Sequence, residues 1–128
     1  MPRPVVVNGS PIIVLAKTGF LDLLAVVGDP VQVPVAVVRE IQQAGSSDPA
    51  VQAVAQVPWL IRVDPGPPPA AILSLGLGTG EAAVLTWALA NAGTEAILDD
   101  PRGRRAATLL GVPHRGCLGL VILARQQG

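Results

Sequence analysis

A chain of 128 residues, half of them apolar and 14% charged, is long enough for one hydrophobic core and too apolar for disorder, so a single domain over residues 1–128 is expected. The lone cysteine, Cys117, excludes an internal disulfide or a cysteine-built zinc site, and three aromatic residues without a tyrosine argue against a base-stacking platform. Net charge is zero but unevenly spread: residues 1–100 carry all nine carboxylates and four bases, residues 101–128 five arginines and no acid.

The chain opens with "VVVNGSPIIVLA". Residues 4–8 read as a strand and 11–17 as a helix closed by Gly19, with Ser10 and Pro11 suited to a helix start. Phe20 to Val27 suggests a second short helix ended by Gly28. "DPVQVP" reads as an extended link, and Pro34 opens a helix over 34–44 with Val37, Val38 and Ile41 on one face. Asp48 caps a helix in "SSDPAVQAVAQ", "WLIRV" is a short strand, and "DPGPPPA" is a loop too rich in proline for regular structure. "TGEAAVLTWALANAG" is the clearest helix, capped by Thr79 and stopped at Gly93. "EAILDD" is a strand ending in two aspartates, Pro101 to Leu110 is a helix, "VPHRG" a short strand and "CLGLVILARQQ" a last helix.

Alternating strands and helices imply a central parallel sheet covered on both faces, a three-layer α/β/α domain. In such sheets ligands bind beyond the C-terminal strand ends. The polar residues at those ends are Asn8 and the pair Asp99 and Asp100. Glu81 begins a helix on its core-facing stripe, where a carboxylate needs a partner or a metal unless it serves only the helix dipole. Glu40 lies at the edge of its helix's apolar face. Asp100 can also cap the helix begun by Pro101, and adjacent strand residues face opposite ways, so Asp99 and Asp100 are not expected to share one role. Acids at strand ends and helix starts suggest an oxygen-lined cation site suited to Mg²⁺ or Mn²⁺.

"GLGTGE" invites a nucleotide reading, but its third glycine comes one place early and Glu81 would repel a phosphate. Those glycines instead let the backbone approach the site closely. His114 and Cys117 lack partners at catalytic spacing, and Ser10 is suited to capping or to hydrogen-bonding behind the site. No apolar run reaches the roughly 18 residues of a membrane span and the N-terminus has no signal-peptide layout, so a cytoplasmic protein without membrane contact is expected.

Four motifs in register, "VNGSPIIVLAKTGFLDLL", "VPVAVVREI", "LGLGTGEAAVL" and "LDDPRGRRAATLLG", followed by "GCLGLVILA", resemble the PIN-domain family, closest to a prokaryotic branch of toxin-like and uncharacterised members. The resemblance spans nearly the whole chain. It implies a doubly wound α/β sandwich and a Mg²⁺- or Mn²⁺-dependent ribonuclease, with Glu40, Glu81 and Asp100 as catalytic acids and metal ligands and Asp99 as a ligand or neighbour. The family's first acidic position falls on Asn8, which offers an amide oxygen without charge; this favours as the alternative a catalytically weak module that binds RNA or a protein partner. Arg104 and Arg105 are the candidates to hold an RNA backbone. The family further implies a homodimer and, for toxin members, a small antitoxin partner. Related chains commonly carry another helix or two beyond the position of Gly128, so some C-terminal elements are expected to be missing.

Overall fold

Val5, Val6 and Val7 are all fully buried, although successive strand residues face opposite sides of a sheet. Only a central strand covered on both faces buries such a run. The computed structural model, which describes residues 2–127, places this segment, β1 (Arg3–Val7), at the middle of a five-stranded sheet. The order is β3-β2-β1-β4-β5 and every pairing is parallel, with β2 (Gly28–Pro34), β3 (Leu60–Val63), β4 (Glu95–Ile97) and β5 (His114–Arg115). Strand order reverses between β1 and β4, which makes their C-terminal ends the switch point of the sheet.

Eight helices flank the sheet among the described residues: α1 (Gly9–Thr18), α2 (Leu23–Val27), α3 (Val35–Gln42), α4 (Pro49–Gln56), α5 (Ala70–Leu73), α6 (Thr79–Ala90), α7 (Pro101–Leu110) and α8 (Cys117–Gln127). They complete the three-layer α/β/α arrangement. Helix α3 packs on α1, α4 and α6, while α2 packs on α8. Leu85, Ile97, Ile12 and Leu120 are completely buried in the core between these elements. No described helix is long and apolar enough to cross a membrane.

Several local expectations are corrected. "DPVQVP" is not a link but most of β2, which bridges β1 and β3. Pro30 has no N–H to give the ladder, and the β1–β2 register slips by one residue there, from Arg3 opposite Gly28 to Val5 opposite Val31. Pro34 ends that strand and caps α3 instead of opening the helix, and α6 is capped by Gly78 rather than Thr79. Helix α1 starts earlier than Pro11: Asn8 is its N-cap in extended conformation, and Ser10 already lies in the first turn. Helix α5, directly after the proline run, has no counterpart in the sequence reading.

Candidate functional site

Asn8, Glu40, Glu81 and Asp100, from four elements, line one cleft of about 340 Å³ beyond the switch point, together with the polar Ser10 and Gln43. Asn8 follows β1, and its backbone N–H donates to the Ile97 carbonyl at 3.1 Å, which ties the end of β1 to β4. Its side chain is 9% exposed and makes no capping hydrogen bond. Glu40 projects from α3 next to the fully packed Ile41. Asp100 caps α7, its Oδ1 accepting from the Arg102 backbone N–H at 3.1 Å, with Pro101 in the first turn. Glu81 is the third residue of α6, the position from which a glutamate reaches back to the N-cap.

Two glycines let these side chains meet. A Cβ on Gly80 would fall on the Glu40 carboxylate and 3.3 Å from Asn8 Oδ1; a Cβ on Gly103 would fall on Glu81 Oε2. Neither glycine has a left-handed backbone, so what its missing side chain supplies is space. Gly80 is one of the glycines before Glu81 expected to allow close approach. Gly103 was not anticipated; its signal was a helix-destabilising residue three positions after Asp100.

Glu81 carries the site's electrostatic signature. Burial, then the neighbouring Asp100 carboxyl, push its pKa up from 4.5 to about 7, against opposing pulls from Arg102 and the Gly78 backbone N–H. Its Oε2 is buried without a hydrogen-bond partner, alone in this among the described side chains. Arg102 is the arginine that reaches this neighbourhood: it lowers the pKa of Glu81, while its Nη2 donates to the Gly76 carbonyl at 3.0 Å. Arg104 and Arg105, the arginines expected to hold an RNA backbone, stand elsewhere. Both are exposed on α7 and neither lines the cleft. Arg105 borders a smaller hollow of about 180 Å³ with Leu75, Leu77 and Arg102, and Arg104 Nη1 leans toward Gly116.

Ser10 lines the cleft, with no side-chain hydrogen bond among the described residues. Asp99 does not line it. Strand β4 ends at Ile97, short of the two aspartates, and Asp99 Oδ1 accepts from the Cys117 backbone N–H at 2.7 Å at the start of α8. Burial and Asp99 together push the Cys117 thiol up to about 12, which leaves it without nucleophilic thiolate. Arg115 pairs with the buried Glu95 across β4 and β5 at 3.3 Å, so neither joins the cleft.

The donors fit a hard cation in chemistry: all are oxygens, and one buried carboxylate oxygen lacks any partner. Among the described residues no three His, Cys, Asp or Glu side chains are already gathered into a ligating cluster. Asp100 lies near enough to Glu81 to raise its pKa, and the remaining cleft carboxylate, Glu40, reaches the cleft past Gly80.

The arrangement is that of an acid-lined cleft at the switch point of a parallel α/β sheet. A family profile described as DUF3368, PIN domain, matches residues 4–128, and the chain belongs to the PIN-domain family. That fold is of nuclease type, and its members generally depend on divalent metal. No curated protein matches the chain.

Proposed function

We propose that this protein is a metal-dependent endoribonuclease, the toxin of a toxin–antitoxin pair, with Mg²⁺ or Mn²⁺ as cofactor. The observation that carries the reading is the convergence of Asn8, Glu40, Glu81 and Asp100, from four separate elements, on one cleft. These four residues would hold the cation through oxygen, with Asp99 outside the set. When bound, such an ion lowers the pKa of water and offsets charge developing on a phosphodiester. Glu81, its pKa raised to about 7 without metal, would give up its proton on binding the cation and serve it as a carboxylate ligand. Asp100, beside it, would add a second negative oxygen to the cation's ligands. Arg102 orients the RNA backbone at the rim, and Arg104 and Arg105 extend the positive surface along α7. Ser10, on the cleft wall with its hydroxyl free of protein partners among the described residues, would hydrogen-bond to the cation's water or to the RNA. A homodimer and a small antitoxin belong to the same reading.

The test is cleavage of a mixed RNA pool with Mn²⁺. Turnover is expected from the wild type and should vanish with EDTA and in Asp100→Asn, a substitution that keeps the helix cap but removes the charge. Cleavage that survives in both would refute the assignment. A second reading rests on Asn8, which brings no negative charge: a weak or inactive module that binds RNA or a protein. It is favoured if folded wild type binds RNA without cutting it while Asn8→Asp cuts.

A further inference from the structure

We infer that the Asn8–Gly9 peptide is a self-modifying site, at which Asn8 loses ammonia and becomes aspartate within the folded protein. Asn8 is nine-tenths buried, its side chain makes no hydrogen bond to any described residue, and it faces a cleft open to solvent. Gly9 is the first residue of α1, so its N–H is one of the amides that a helix leaves without an intrahelical partner. No other acceptor for it is present among the described residues. An unpartnered side-chain amide and an unpartnered backbone nitrogen are thus adjacent in the chain.

Packing does not explain the glycine. A Cβ at position 9 would sit 3.8 Å from Val37 and 3.9 Å from Ile41, ordinary contact distances, and the residue has no left-handed backbone. What the missing Cβ does provide is an unhindered nucleophile next to Asn8.

The chemistry balances without a co-reactant other than water. The Gly9 nitrogen attacks Asn8 Cγ; the bond from Cγ to Nδ2 breaks, and the amide leaves as ammonia, which carries away the Gly9 proton. The product is a five-membered imide. Water then adds at Cγ, the bond from Cγ to the Gly9 nitrogen breaks, and that nitrogen regains its proton. Ring closure requires Asn8 to rotate from its ψ of 169°, a motion opposed by the Asn8 N–H bond to Ile97 and eased by the bare glycine. Cγ faces the solvent-open cleft, whereas the main-chain carbonyl lies at the start of α1, so water reaches Cγ more readily. Hydrolysis therefore favours aspartate over the backbone-shifted isoaspartate.

The consequence, which rests on the proposed metal-binding reading, is a fourth carboxylate beside Glu40, Glu81 and Asp100. Metal affinity would rise with the age of the protein.

The test is to incubate purified full-length protein at mildly alkaline pH and follow the peptide containing residues 8 and 9 by mass spectrometry, with ammonia release measured in parallel. A gain of about one dalton, as aspartate, is expected in the wild type. Conversion should be slower by at least an order of magnitude in Gly9→Ala, which the space around residue 9 accommodates. Asn91, exposed and followed by alanine, is the internal control and should stay an amide. An Asn8 that remains amide while the urea-unfolded chain converts would overturn the inference and leave the nuclease reading intact. Conversion with no gain in Mn²⁺ affinity toward that of Asn8→Asp would support the modification and count against the metal reading.

Discussion

Replacing Gly80 by alanine should separate the stability of the fold from the integrity of the site. The new Cβ occupies the place of the Glu40 carboxylate and crowds Asn8 Oδ1 at 3.3 Å. Glu40 is exposed, so its carboxylate can swing away; a strained rotamer costs about 1 kcal/mol. Alanine in place of a helical glycine returns up to about 1 kcal/mol, less in the first turn. The two terms nearly cancel, and the melting temperature should move by no more than about 4 °C. The site does not recover in the same way. Displacing one catalytic group by about 1 Å costs on the order of a hundredfold in rate. Calorimetry and Mn²⁺-dependent RNA cleavage, run on the same preparations, read both effects. Because Gly80→Ala acts through Glu40, adding Glu40→Gln should cost little more than either change alone. Wild-type turnover in Gly80→Ala, or fully additive losses in the double variant, would refute this account of the cleft.

Gly103→Ala strikes Glu81 Oε2, which is buried and less free to move, so it should lower turnover and also cost about 1–3 kcal/mol of stability in chemical denaturation. The metal-free protein should become less stable as pH rises from 4.5 to about 7. In that window folded Glu81 keeps a proton that the unfolded chain has released, and melting curves across pH should show the decline flattened in Glu81→Gln. Saturating Mn²⁺ should reverse the slope, because the cation binds the deprotonated form. Asp100→Ala removes both the cap and the charge and should lose about 1 kcal/mol relative to Asp100→Asn, while both variants abolish cleavage.

The architecture was legible because apolar runs and helix periods are properties of the chain itself. "VVV" and "EAIL" read as buried strands, and Asp48 and Asp100 read as caps because they hold the backbone N–H groups two residues on. Strand β2 was obscured by its two prolines: Pro30 is accommodated by a register slip with β1 that no local pattern announces. Four cleft residues were named from spacing and resemblance, yet spacing alone could not orient the aspartates. Both lie beyond the end of β4, outside any strand alternation, and the hydrogen bond from the Cys117 N–H turns Asp99 toward α8. Arg102 was hidden because its importance depends on Gly76, 26 residues earlier, as well as on Glu81. Gly103 was missed for the same reason, since its neighbour Glu81 lies on another helix.

The most direct measurement is a Mn²⁺ titration by calorimetry of the wild type beside Glu40→Gln, Glu81→Gln, Asp100→Asn and Asp99→Asn. Each change at the first three positions should weaken binding by roughly tenfold or more, because it removes a negative oxygen ligand. Asp99→Asn should leave the affinity near that of the wild type, since its carboxylate serves the start of α8. Affinity indifferent to the three cleft acids, or lost chiefly in Asp99→Asn, would contradict the placement of the metal centre.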